Sequence, residues 1–93
     1  MFTQIPINLG KIKTEDINKE ILRTAIIAEL DAINLYEQMA HMTDDKNLRK
    51  VLLDVAREEK THVGEFQTML LKDDKEQTEE LSHGEEEIHE LLE

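Results

Sequence analysis

The sequence predicts an all-α fold: an antiparallel two-helix hairpin plus a short C-terminal helix. Three observations carry this. One Pro and three Gly punctuate a chain rich in Ala, Leu, Ile, Glu and Lys, a composition that favours helix. Two long stretches place apolar residues at helical spacing. A single short polar segment, T-D-D-K, separates them.

The opening residues, M-F-T-Q-I-P-I-N-L-G-K-I-K, contain Pro6 and Gly10 and have no helical period. They read as an extended arm over 1–13, whose Phe2, Ile5, Ile7, Leu9 and Ile12 suit packing against a neighbouring subunit. The first helix is expected from near Thr14, as N-cap, to about Met42, with Glu15 and Asp16 favourable in its first turn. The second is expected from a Thr43 or Asp44 cap to about Lys72, and each is roughly 40 Å long. K-D-D-K-E-Q then breaks the pattern. A shorter acidic helix follows over about Gln77 to Leu92, with Leu81, Ile88, Leu91 and Leu92 on its apolar side. The chain therefore divides into the arm (1–13), the hairpin (14–74) and the C-terminal helix (75–93).

A two-helix hairpin gives each apolar stripe only one partner. Ile27 and Leu30 lie well outside the main stripe of the first helix, so the expectation is a dimer that makes a four-helix bundle.

Composition narrows the chemistry. No cysteine is present, which excludes disulfides, thiolate zinc sites and cysteine nucleophiles. Twenty-two acids against 11 basic residues give a net charge of -11. That disfavours nucleic acid and anionic membrane and favours cations as partners. No apolar run approaches a membrane span, and the start lacks a signal-peptide pattern, so a cytoplasmic location is expected.

Two acids stand where the pattern asks for apolar residues. Glu59 has Leu52, Val55, Ala56, Val63 and Phe66 around it on its own face, with His62 one turn ahead. Glu29 has Leu22, Ala25, Ile26, Ala32, Ile33 and Tyr36. A buried, unpaired carboxylate costs several kcal/mol, so each must be protonated, paired or metal-bound. Arg23 and Lys19 point away from Glu29, and Arg57 and Lys60 away from Glu59. A metal ion held by Glu29, Glu59 and His62 is one solution, and a protonated hydrogen-bond cluster is the other.

E-x-x-H alone decides little. Glu80–His83 and Glu86–His89 share the spacing but have polar flanks and read as solvated, and Glu58 reads as a surface acid. Glu65 lies towards the side of the site. Met39 to Met42 read as packing and capping at a helix end. Counting from a turn near Thr43, positions 29 and 59 fall at one level. Two hairpins would then supply four carboxylates and two histidines, the ligand set of di-iron bundles.

Through A-I-I-A-E-L-D-A-I-N-L-Y-E-Q-M-A and L-L-D-V-A-R-E-E-K-T-H-V-G-E-F, the chain resembles the encapsulated ferritins. It is most similar to the N-terminal ferritin-like domains fused to archaeal encapsulin shell proteins. The resemblance spans roughly 14–81 and implies a ferritin-like four-helix bundle formed by two subunits. It implies ferroxidase activity, Fe(II) being oxidised to Fe(III) by oxygen at an intersubunit di-iron site, with iron stored in an encapsulin compartment. Metal ligands would be Glu29, Glu59 and His62, with Tyr36 beside the metal, where it would tune the site or serve as a core aromatic. Ca, Mn or Zn would be able to replace iron. A ring of dimers, typically ten chains, is implied inside the shell.

Two features depart from the family. The end E-E-E-I-H-E-L-L-E is unlike a shell-binding peptide. Ala28 and Leu35 beside Asp31 do not repeat the family's outer metal-uptake site. Two other readings stand beside this one: a rubrerythrin-like di-iron peroxidase, and a metal-free helical dimerisation module.

Overall fold

Helix-forming residues between short polar breaks settle into three helices. The computed structural model describes residues 10, 13, 14 and 16–93, so most of the expected arm lies outside the described residues. Helix α1 spans Ile17–Met42, α2 Lys46–Asp73 and α3 Lys75–Leu92, and among the described residues there is no strand.

Each boundary differs slightly from expectation, for a local reason. Thr14 does not cap α1. A turn closed by the Asp16 N–H on the Lys13 carbonyl (2.9 Å) occupies these residues, and the first helical carbonyl is that of Asp16. At the hairpin turn, neither Thr43 nor Asp44 caps α2. Asp45 does, accepting from the backbone N–H groups of Asn47 and Leu48 at 2.9 and 3.0 Å. Thr43 instead accepts from the Asp45 N–H, and Arg49 donates to the carbonyls of Ala40 and Thr43. The two Arg49 bonds satisfy two of the carbonyls left open at the end of α1 and tie the turn to α2. His41 Nδ1–H, donating to the Glu37 carbonyl at 2.7 Å, supplies the capping expected of the M-A-H-M stretch, whereas Met42, 82% exposed, does not pack.

The third boundary is a single residue. Asp74 ends α2, its N–H donating to the Leu70 carbonyl, and it begins α3, its carboxylate accepting from the Gln77 N–H at 3.0 Å. It also accepts from Arg23 of α1 at 2.8 Å, and it is the one buried charged residue among those described. The N–H of Gln77 and then the Arg23 guanidinium hold this carboxyl below the ordinary value of 3.8. A depressed folded value means a stabilisation that is complete above the unfolded value and lost as pH falls through the folded one. Asp74→Asn keeps a capping oxygen but loses the charge. The wild type is therefore expected to be the more stable at neutral pH, and the two melting temperatures to converge as pH falls from about 5 to about 2.

Helices α1 and α2 pack along their length, and α3 projects away from them, so the molecule measures 46 × 45 × 20 Å. Ala40 and Ala56, about 1–2% exposed, let the two backbones approach closely, and Leu22, Ile33 and Leu70 complete the buried line. Among the described residues of the hairpin five apolar residues are buried, whereas eight large ones stay well exposed. The hairpin thus closes only half a core. Seven of these exposed residues border it on two edges. Ile21, Leu48, Val51 and Met69 lie on one edge, and Ile27, Leu30 and Leu53 on the other.

Candidate metal centre

Antiparallel packing about the 43–45 turn puts Glu29 of α1 opposite Glu59 of α2, at the level read from the sequence. His62, one turn along α2, completes the group. Its Nδ1 lies 3.4 Å from Glu29 Oε2 and 3.4 Å from Glu59 Oε2. One donor atom from each residue lies within 4.8 Å of the other two. Donors of a single transition-metal ion stand about 2.0–2.2 Å from it, so small side-chain rotations would bring all three into range.

Burial separates the roles of the three side chains. The Glu29 and Glu59 side chains are 20% and 19% exposed, and the His62 side chain is 43% exposed. Glu29 Oε2 is fully buried and has no hydrogen-bond partner. The nearby His62 nitrogen is at ion-pair distance, too long for a good hydrogen bond. No Lys or Arg reaches either carboxylate among the described residues. A buried acceptor in this state is costly in a metal-free chain. The donor set suits a hard or borderline divalent ion, with two carboxylates and an imidazole facing one point.

His62 opens towards the edge that carries Val51 and Met69, each 59% exposed, so the half-exposed side of the donor group and the uncovered apolar surface coincide. Tyr36 lies half-buried on the face it shares with Glu29, and its hydroxyl makes no hydrogen bond among the described residues. Glu58 and Glu65 are exposed on α2, outside the donor group. The decoy pairs behave as their flanks suggest. Glu80 and His83 meet at 3.3 Å in solvent, and His89 approaches Glu85 and Glu93 rather than Glu86.

One residue pair was missed in the sequence. Arg23 and Asp74 are far apart in the chain, and only the consecutive acids Asp73 and Asp74 at the helix break hint at a role there.

Comparisons with known proteins identify the family and the fold. The rubrerythrin family model matches residues 20–92. A ferritin-like–encapsulin shell fusion protein of Pyrococcus furiosus is 64% identical over 85 residues, which cover 91% of this chain and 25% of that protein. The chain thus spans about a quarter of the length of the curated relative it matches. The crystal structure of an encapsulated ferritin domain from Pyrococcus furiosus superposes with a TM-score of 0.83 at 60% identity, covering 96% of this chain and 93% of that one. No helix among the described residues is long and apolar enough to cross a membrane. The chain belongs to the rubrerythrin family, as a ferritin-like domain of the encapsulated type.

Proposed function

We propose that this domain is a ferroxidase that oxidises Fe(II) to Fe(III) with oxygen as electron acceptor, at a di-iron site shared by two copies of the chain. The observation that carries this reading is the buried, partnerless Glu29 Oε2 facing Glu59 and His62. Each chain contributes Glu29, Glu59 and His62, and two chains facing each other across the Ile21–Leu48–Val51–Met69 edge bring six donors together. The residues act by binding and by charge. The carboxylates supply anionic oxygens that stabilise the more highly charged product and are able to bridge two ions, while His62 adds a neutral nitrogen and completes the donor set. Tyr36, beside this group, would tune it through its hydroxyl.

Iron enters as substrate. Mn(II) and Zn(II) suit the same donors, and Ca(II) suits the oxygens alone, so competing titrations would rank them. The hairpin, 14–74, is the chemical unit in this reading, and 75–93 serves assembly. The Pyrococcus relative is named as a fusion to an encapsulin shell. For this chain we infer the same setting: a ring of dimers, of about ten chains, working inside such a compartment in the cytoplasm.

The test is anaerobic Fe(II) titration of wild type and Glu59→Ala, followed by admission of oxygen, with mass followed by light scattering. Saturation near one iron per chain and fast oxidation, both lost in the variant, are expected. Weak and equal binding by the two proteins would mean that the carboxylates are structural. Oxidation by peroxide but not by oxygen would favour the peroxidase reading suggested by the family model.

A further inference from the structure

Helix α3 leaves the hairpin at one residue. Asp74 has φ -123° and ψ 89°, far from the helical values that its neighbours on both sides adopt. No residue of α3 is buried, and the helix meets the hairpin closely only around this bend. Its direction is therefore set by what holds Asp74, and not by packing along its length.

The sequence does not require a break here. L-L-K-D-D-K-E-Q-T-E-E over 70–80 contains neither Pro nor Gly, and Lys, Glu and Gln are good helix formers. The Asp74 N–H still bonds the Leu70 carbonyl (2.9 Å), and the Thr78 N–H bonds the Asp74 carbonyl (3.2 Å). The helical ladder thus runs up to the bend and resumes directly after it. A continuous helix would fill the gap with bonds from the N–H groups of Lys75, Glu76 and Gln77 to the carbonyls of Leu71, Lys72 and Asp73. Side chains stand in for two of these groups. One Asp74 oxygen takes the Gln77 N–H at 3.0 Å, and the Thr78 hydroxyl donates to the Leu71 carbonyl at 3.0 Å. Arg23 of α1 grips the other Asp74 oxygen at 2.8 Å, and Lys19 adds positive charge from the same helix. The two arrangements exclude each other, because in a continuous helix the Gln77 N–H belongs to Asp73.

We propose that the Asp74 carboxylate, held by Arg23, is the latch of a two-state C-terminal helix: latched, α3 bends away from the hairpin; released, α2 and α3 fuse into one straight helix over 46–92. The straight helix is about 70 Å long, against 46 Å for the longest dimension of the latched molecule. Release carries the eight acids of residues 75–93, with Leu81, Ile88, Leu91 and Leu92, out along the hairpin axis. The two halves of the latch differ in access. The Arg23 side chain is 49% exposed and that of Asp74 only 9%, so Arg23 is the half that an anion from solution can reach. The latch uses none of the metal donors and does not depend on the ferroxidase reading.

The chain has no cysteine, so two spin labels can be placed in the full protein, at Thr61→Cys and Glu86→Cys, both exposed positions. Dilution with unlabelled protein leaves only distances within one chain. A straight helix would separate the two positions by about 38 Å. Pulsed electron paramagnetic resonance of the labelled protein with Arg23 and Asp74 intact should give one shorter distance. Asp74→Ala removes both the cap and the ion pair and inserts the best helix former, so a population near 38 Å should dominate. Arg23→Gln keeps the cap but loses the ion pair, and it should show both distances. Asp74→Ala at the shorter distance would mean that the bend is held elsewhere. A broad distribution without the longer peak would mean that α3 is merely untied. Either result would overturn the proposal, as would a straight helix with the latch intact. An Arg23→Gln protein indistinguishable from its parent would take α1 out of the latch and overturn it too.

Discussion

Glu29→Leu is expected to raise the melting temperature of the metal-free protein while removing its iron binding. In the isolated hairpin, Glu29 Oε2 is buried without a partner. An unsatisfied buried polar atom costs about 1–3 kcal/mol, and leucine fills similar space without that cost. For a domain of this size, each kcal/mol recovered corresponds to a rise of about 4–8 °C. Loss of function should be larger than the effect of removing a residue that merely orients a ligand, which is about 10–100-fold in metal affinity. Calorimetry of the metal-free protein and iron titration together decide the matter. A cluster held by a shared proton predicts the opposite sign, because removing one member would then lower stability. A variant that still oxidises iron at the wild-type rate would sink the metal assignment.

The second large effect comes from residues that never touch the metal. Val51→Glu with Met69→Glu leaves Glu29, Glu59, His62 and the whole of each hairpin in place, since both positions are 59% exposed in the single chain. In a dimer closed across this edge, four added carboxylates would be buried on a surface already facing four others. Burying an unpaired charge costs several kcal/mol, and each 1.4 kcal/mol weakens association tenfold. The dimer should therefore dissociate by more than about 100-fold more readily, and iron oxidation should fall with it although every donor is present. Far-ultraviolet circular dichroism should stay close to that of the wild type. If the variant is monomeric yet fully active, the site belongs to one chain and the shared-site reading is wrong.

Much of the donor group was legible in the sequence because helical period is a strong local rule. Glu29 and Glu59 stand out for being charged at positions where every neighbour on their face is apolar. The flanks of Glu80 and Glu86 dismissed two decoys with the same spacing as Glu59 and His62. The level of the two acids followed from counting out from one turn. The helix boundaries were less legible. Thr43, Asp44 and Asp45 are all competent caps, and the choice of Asp45 is tied to Arg49, which binds the carbonyls of Ala40 and Thr43. That choice depends on a side chain folding back across the turn, which no propensity contains.

The pattern of residues along each helix thus determined by itself that this chain is a helical hairpin with one carboxylate at the centre of each long helix and a histidine one turn on. Burial faces and spacing are properties of a few consecutive turns, and those are written in order along the chain. Only the tertiary structure decided that Glu29 Oε2 is left without a partner, that His62 opens towards an uncovered apolar edge, and that Asp74 reaches Arg23 across 51 positions to set the departure of α3. These depend on which faces of separate helices meet and at what distance. Such facts follow from the balance of packing and desolvation over the whole hairpin, and no single segment holds them.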